Sequence, residues 1–234
     1  MSTELWGIVS VSPTDDLPQE ILNAQQSGKK TVYMQAGTYP LDYTKVIEIK
    51  TDGFTLVGAG AESTILQFSS KCNSAYQCGI IVRPATGGSQ IKGVRLADFN
   101  VQMVTQPGGT NNRLGGIYLK DCLGAKVERV NTDDWNWSSP AGYGFRAHNS
   151  GAVTDVLAGE ITFYRCCGEN TFYGIWLTGS STYPMNRCSI IAPSFNALTS
   201  GAQPQWVPNS YGIHIQQAKG TLILGGEFAN YQYL

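Results

Sequence analysis

Residues 173–179 read YGIWLTG, and this pattern decides the fold because it recurs along the chain. After the glycine, apolar Ile175 and Leu177 alternate with Trp176, which is the period of a β-strand with one buried face. The same pattern occurs in CGIIVRP (78–84), GGIYLKD (115–121), YGFRAHN (143–149) and YGIHIQQ (211–217). We therefore predict five equivalent strands.

The spacing of these strands predicts a solenoid. The five glycines, at 79, 116, 144, 174 and 212, are 37, 28, 30 and 38 residues apart. Further strand-like segments follow several of them: VRLADFNV (94–101), VLAGEITF (156–163), IIAPSF (190–195) and LILGGEF (222–228). Short strands repeating about every 30 residues with no helical signal between them predict stacked coils, which is a parallel β-helix.

One helix is predicted at the start of the chain. Asp15 or Asp16 can cap a helix from Leu17 to Gln26, with a proline in its first turn and Gly28 after its end. Such a helix would cover the open end of the first coil. We expect one domain over residues 1–234, with an arm and capping helix in 1–30, coils in 31–234 and an uncapped C-terminal end.

Residues 15–66 resemble the beginning of the pectate-lyase-like right-handed β-helix superfamily. The resemblance is carried by the helix and by TVYMQAGTY (31–39), VIEI (46–49) and FTLVGAGAESTIL (54–66). It implies an all-β, right-handed, single-stranded parallel β-helix. Members include polysaccharide lyases, glycoside hydrolases, epimerases and phage tailspikes, so the resemblance does not choose one activity.

Composition excludes several classes of protein. Charged residues are 14% of the chain, and 16 basic against 17 acidic residues give a net charge of −1, so we expect neither a nucleic-acid nor a membrane partner. No signal peptide is seen, and we expect an extracellular or virion-associated protein. None of the six cysteines has zinc-site spacing; Cys72 and Cys78 can form a disulfide, or all six thiols pack reduced.

The outward positions of the five strands form a candidate glycan-binding groove. Aligning the strands at their glycines places large residues in two neighbouring columns that we expect to face solvent. Aromatic rings pack on the apolar faces of sugars, and basic groups bind acidic substituents. The candidate binding residues in these columns are Tyr118, Lys120, Arg146, His148, Trp176 and His214.

The insertion after Val130, NTDDWNWSSPAG, is the candidate catalytic loop. Asp133 and Asp134 suit acid/base catalysis and are also candidates for holding Ca²⁺, although no full ligand set is visible and no other cofactor is expected. Trp135 and Trp137 are candidate sugar-binding residues. The alternative is that the tryptophans pack onto the coil and the aspartates serve as turn residues.

A second acidic set is Asp98, Glu160 and Glu227, which we expect to form one row with Glu160 and Glu227 two coils apart. Two functions remain open. One is a protein that binds a polysaccharide and depolymerises it as a lyase or glycosidase, like a tailspike. The other is a structural or receptor-binding virion component without catalysis. Apolar Leu222, Leu224 and Phe228 at the open end predict a homotrimer, another virion partner or a continuation of the chain.

Overall fold

The computed structural model describes residues 3–5, 7–42, 44–69, 76–104, 115–135, 142–151, 158–197, 207–229 and 231–233. Within these ranges the chain has one helix, α1 (Leu17–Gln26), and otherwise strands, bends and turns. The strands before residue 105 are β1 (Thr3–Leu5), β2 (Ile8–Val11), β3 (Thr31–Met34), β4 (Gly37–Leu41), β5 (Ile47–Ile49), β6 (Thr55–Gly58), β7 (Thr64–Ser69), β8 (Cys78–Val82), β9 (Ile91–Lys92) and β10 (Arg95–Val104).

The remaining strands continue the repeat. They are β11 (Gly115–Lys120), β12 (Cys122–Leu123), β13 (Lys126–Asp133), β14 (Tyr143–His148), β15 (Thr162–Tyr164), β16 (Cys167–Glu169), β17 (Tyr173–Thr178), β18 (Met185–Asn186), β19 (Ser189–Ile191), β20 (Ser194–Asn196), β21 (Val207–Gln216), β22 (Ala218–Lys219), β23 (Leu222–Leu224), β24 (Glu227–Ala229) and β25 (Tyr231–Tyr233).

Helix α1 lies over one edge of the sheets, as predicted. Asp16 is its N-cap and accepts a hydrogen bond from the backbone N–H of Gln19. The Gln25 side chain donates to the carbonyl of Glu48 (2.9 Å) and accepts from the N–H of Lys50 (2.7 Å). These bonds occupy backbone groups around β5, the edge strand of its sheet, so α1 covers an edge that would otherwise be open.

The strands form parallel ladders whose neighbours come from successive repeats. Sheet 1 has 14 strands and includes the path β3–β6–β10–β13–β15–β19–β23; sheet 2 is β5–β8–β11–β14–β17–β21–β25. Among the described strands, the β1–β2 pair is antiparallel and the other named pairs are parallel. The chain is therefore an all-β fold of parallel strands with one helix. No helix in the described part of the chain is long and apolar enough to cross a membrane.

Sheet 1 has two arms that meet at a corner. The first halves of β10 and β13 pair with β6 and β15 (first arm), while their second halves pair with β7 and β16 (second arm). At the corner, φ is 62° at Asp98 and 51° at Arg129, a left-handed conformation that is uncommon outside glycine. The Asp98 carboxylate accepts two hydrogen bonds from Arg129 (2.6 and 2.8 Å), which stabilise the corner.

The predicted single acidic row is wrong. Asp98 lies at this corner, Glu160 lies at a different left-handed corner where it pairs with Arg187, and Glu227 begins β24 on the second arm. The reason is that corner residues and loops of different length separate the strands. Each of these three acidic residues is followed by a bulky apolar residue, but this shared pattern does not place them in one column.

The recurring glycines lie where sheet 2 approaches the second arm most closely. A Cβ built on Gly174 would be 2.5 Å from the carbonyl oxygen of Gly212 and 2.7 Å from the ring of Phe195. A Cβ on Gly116 would be 2.8 Å from the carbonyl oxygen of Gly144. Real Cβ atoms do not make such contacts, so the close approach of backbone and core requires glycine at these positions.

Apolar side chains are exposed on β23. Leu222 and Leu224 are 49% and 50% exposed, and Phe228 is partly buried. This agrees with the expected exposure of the two leucines. The oligomer inferred from it stays a prediction.

We predict that Gly174→Ala destabilises the fold by about 1 to 3 kcal/mol, because the added methyl overpacks a fixed core. Gly87→Ala is the matched control, since a Cβ at Gly87 meets nothing within 4 Å. Chemical denaturation followed by circular dichroism measures both free energies of unfolding. Equal stabilities for the two variants would contradict the close approach.

Candidate functional site

The outer side of sheet 2 carries the predicted columns in register. Tyr118 lies beside Ile81 and Arg146, Arg146 lies beside Trp176, and Trp176 lies beside His214. In the next column, Lys120 lies beside His148. The glycine alignment therefore gave the correct register for six of the eight candidate binding residues.

These side chains stack on one another. The guanidinium carbon of Arg146 lies 5.1 Å from the ring centre of Tyr118 and 4.2 Å from that of Trp176. Tyr173 then contacts Trp176 at 5.0 Å between ring centres and stacks on Tyr211 at 5.6 Å. We call the set Tyr118, Tyr143, Arg146, Tyr173, Trp176, Tyr211 and His214 the aromatic face.

One end of the aromatic face is buried, contrary to the expectation that the whole column faces solvent. Tyr118 is 9% exposed and Tyr143 is 3% exposed, and both pack with Ile81 in a small apolar cluster outside the main core. Arg146, Trp176 and His214 are partly exposed. The open part of this face is therefore the β14–β17–β21 part.

Sequence reasoning missed the tyrosine column. Tyr143, Tyr173 and Tyr211 each precede the repeated glycine and lie side by side across β14, β17 and β21. The signal was present in the motif YG, which occurs in three of the five repeats. The positions after the glycine do not reveal this column, because the tyrosines stand before it.

Tyr118 and His148 are hydrogen-bonded, with 2.7 Å between the Tyr118 oxygen and His148 Nδ1. Burial, chiefly, raises the pKa of Tyr118 to about 12. Burial first, and then the charge of Arg146, lowers the pKa of His148 to about 4. Both groups are therefore neutral near pH 7. The Nδ1 atom of a neutral imidazole can accept a hydrogen bond from the Tyr118 hydroxyl. This bond helps to hold the Tyr118 ring that lies against Arg146.

A second candidate site lies on the outer side of the second arm of sheet 1. It is a groove with a volume of about 470 Å³ lined by polar side chains. Amide and carboxylate groups from adjacent strands project into it, among them Asn100, Asn131, Asp133, Glu169, Asn196 and Glu227. We call it the carboxylate groove.

Two hydrogen bonds fix the carboxylate of Asp133 in this groove. It accepts hydrogen bonds from Asn100 Nδ2 (2.7 Å) and from the backbone N–H of Glu169 (3.2 Å). Burial is the main cause that raises its pKa above 3.8; the charges of Glu169 and Asp134 add to the rise, and the two hydrogen bonds oppose it. A carboxyl group with a raised pKa suits a general acid.

Asp134 has a different role in the structure. Its φ is 67°, so it forms the corner after β13, and its carboxylate accepts from Asn170 (2.8 Å) and Gln102 (3.3 Å). No three His, Cys, Asp or Glu side chains in the described ranges converge as metal ligands. Protein donors bond to the oxygens of both aspartates, and this gives no support to the Ca²⁺ interpretation.

Trp135 is buried rather than exposed, which corrects its assignment as a sugar-binding residue. It is 1% exposed, its Nε1 donates to the carbonyl of Val101 (2.9 Å), and its ring contacts Phe68. The left-handed corner at Asp134 turns the chain so that Trp135 enters the core. The alternative interpretation, packing onto the coil, is therefore correct for Trp135. Trp137 lies outside the described residues, as does Cys72.

The two candidate sites lie on different sheets. The aromatic face belongs to sheet 2, whereas Asp133 and Asp134 form the hydrogen bonds described above with residues of sheet 1 and its following corner. The predicted catalytic pair is thus not placed directly against Arg146 or Trp176. The sequence suggested proximity because the two segments are adjacent along the chain.

We predict opposite shifts in the pKa of Asp133 from two variants. Glu169→Gln should lower it by removing a like charge, and Asn100→Ala should raise it by removing a hydrogen bond to the charged form. Because the folded pKa exceeds 3.8, this group's contribution to stability falls as pH rises through the folded pKa. Carboxyl ¹³C NMR titration measures the shifts; Glu227→Gln, three strands from Asp133, is the control and should change nothing. A shift of the same sign in both variants would contradict the geometry.

Comparison with known proteins finds structural likeness without sequence relatives. No family model and no curated protein matches the chain. Geobacillus virus E2 ORF18 superposes with a TM-score of 0.62 at 16% identity, over 93% of this chain and 48% of that one. The catalytic domain of the GH87 alpha-1,3-glucanase, in complex with nigerose, gives 0.60 at 16% identity, over 96% and 35%.

Pre-mature bacteriophage phi29 gene product 12 gives a TM-score of 0.59 at 14% identity, over 95% of this chain and 32% of that one. The chain thus spans between about a third and a half of the length of these three proteins. At such identities the likeness concerns architecture alone, and it agrees with the resemblance carried by residues 15–66. The comparisons therefore show that the chain shares the fold of two phage or virus proteins and of a glucanase catalytic domain.

Proposed function

We propose that the chain binds a polysaccharide along the aromatic face. The observation that carries the proposal is the continuous stack of Arg146, Trp176, Tyr173 and Tyr211, which is partly exposed on three adjacent strands. Strands in a sheet are about 4.8 Å apart, so side chains on neighbouring strands can contact neighbouring parts of a sugar chain. Aromatic side chains then pack on apolar sugar faces.

We further propose that the parallel ladders form one continuous right-handed solenoid over residues 1–234. In such a solenoid each coil contributes one side chain to each column. The in-register pairing of Tyr118, Arg146, Trp176 and His214 supports this arrangement.

We place the protein on a virion or outside the cell. Two of the structures with the same architecture are named as phage or virus proteins, and one is the catalytic domain of a glucanase. A tailspike-type homotrimer that grips a surface polysaccharide fits this setting and the exposed leucines of β23. The alternative is a virion component that binds no glycan and catalyses no reaction.

Glycoside hydrolysis in the carboxylate groove is the second candidate function. Its support is the pairing of Asp133 with Glu169 on adjacent strands, one partly buried with a raised pKa and the other exposed. Adjacent strands place two carboxyl groups near the spacing of about 5 Å that retaining glycosidases use. Asp133 would protonate the leaving oxygen and Glu169 would act as nucleophile. Asp134 would not take part in the reaction; its hydrogen bonds to Asn170 and Gln102 would stabilise the corner after β13.

We predict that Trp176→Ala weakens glycan binding about 5- to 30-fold, because it removes an aromatic contact and one of the two rings that hold Arg146. Tyr33→Ala is the matched control, since Tyr33 is an exposed aromatic on the first arm of sheet 1. Isothermal titration calorimetry against glycans selected from a bacterial and plant polysaccharide panel measures both affinities. Equal losses in the two variants would exclude the aromatic face.

We predict that new reducing ends appear when the active polysaccharide is incubated with the wild-type protein, and that Asp133→Asn abolishes them while binding survives. Glu20→Gln, on helix α1, is the control and should keep full activity. Product that carries unsaturated uronate absorbance would indicate a lyase instead. Binding without any product would favour the non-enzymatic virion function.

A further inference from the structure

Arg146 has no carboxylate partner among the described residues, and this distinguishes it from most other arginines. Arg83, Arg95, Arg129 and Arg187 each form an ion pair with Asp or Glu. Arg146 instead lies between the rings of Tyr118 and Trp176, and its Nε is buried without a hydrogen-bond partner. A partly desolvated guanidinium without an anion is costly unless a ligand supplies one.

The rings hold the guanidinium in place before any ligand arrives. Because Nε is buried, an incoming group must approach the terminal amino groups end-on. A carboxylate can accept two parallel hydrogen bonds from that end. Since the side chain is already fixed, little rotamer entropy is lost on binding.

The surroundings of Arg146 are positive. The outward positions of sheet 2 from β8 to β21 fall in three columns, and none of these positions carries Asp or Glu. Lys120 lies near Arg146, and the nearby Asp121 is buried, with its carboxylate accepting from the N–H and hydroxyl of Ser150 (2.7 Å each). Burial is the main cause that lowers the pKa of His148; the positive charges of Arg146 and Lys120 add to the lowering, and the charge of Asp121 opposes it.

The other candidate site carries several acidic side chains. Asp133, Glu169 and Glu227 line the carboxylate groove on sheet 1. The cation Arg146 and the carboxylates of the groove therefore lie on different sheets. A polyanion would be attracted by the first surface.

We infer that the glycan bound by the aromatic face is acidic, and that Arg146 recognises the carboxylate of one of its sugars end-on. The inference rests on the proposed function, which requires only that a glycan binds there. It names the substrate class, a polysaccharide with uronic acid or another carboxylated sugar.

The test compares carboxylated polysaccharides with their carboxyl-reduced forms. Alginate, polygalacturonate, hyaluronan and bacterial capsular polymers are immobilised beside the same polymers after reduction of the carboxyl groups to alcohols. Wild-type protein should bind at least one native polymer about tenfold or more tightly than its reduced form, as expected for loss of a charged hydrogen bond. This affinity should fall as salt rises.

Arg146→Gln should bind the native and reduced forms equally weakly. Arg165→Gln is the matched control, because Arg165 also lies over a ring, that of Tyr164, but on sheet 1; it should bind as the wild type does. Thermal melting checks that each variant folds. If Arg146→Gln does not fold, free glucuronate against free glucose as competitors of wild-type binding gives the same comparison.

The possible results separate the two proposals. Equal wild-type binding to native and reduced polymers would overturn the acidic glycan and leave glycan binding intact. Preference for the native polymer that survives in Arg146→Gln would overturn the role of Arg146. Binding to poly(glycerol phosphate) and to no carboxylated polymer would replace carboxylate by phosphate. Binding to no glycan at all would overturn the proposed function together with the inference.

Discussion

The close approach of sheet 2 to the second arm of sheet 1 is the constraint on which the structure depends. At Gly116 and Gly174 there is no room for a Cβ, because backbone of the next strand and core side chains such as Phe195 occupy its place. This approach recurs at the repeated glycines and therefore fixes the register of each strand against the next. A shift by one residue would bring a side chain into the space that only glycine fits.

Fixed register decides what the outer surfaces can do. Residues at the same position of successive repeats become neighbours, so Arg146 meets Trp176 on one sheet and Asp133 meets Glu169 on the other. Two chemically different surfaces thus arise from the same backbone. The stacked cation and rings suit recognition, while the paired carboxylates suit proton transfer. Each surface is preorganised because its members are held by adjacent strands rather than by loops.

Sequence patterns predicted the secondary structure and the inward-facing residues more accurately than the exposure of the aromatic side chains. The bounds of α1, the inward apolar positions and the register of Arg146, Trp176 and His214 follow from periodicity and capping, which are local. Burial of Tyr118 could not be predicted, since a period of two tells which side a residue faces but not what packs against that side. Trp135 was misplaced because a left-handed corner at an aspartate leaves no glycine in the sequence to mark it.

The ladder pairing has an evolutionary consequence. Each strand of the parallel ladders pairs with the strands on either side, so energetic effects of a change at an outward position extend about one strand in each direction. Gln216, which is exposed, lies on β21 two residues after His214 and takes no part in the glycine contacts. Substitution at such an outward position can change ligand specificity while the fold is unchanged. Along one strand, the residues that face solvent can therefore determine which ligand binds, while the glycines and the inward residues determine the fold.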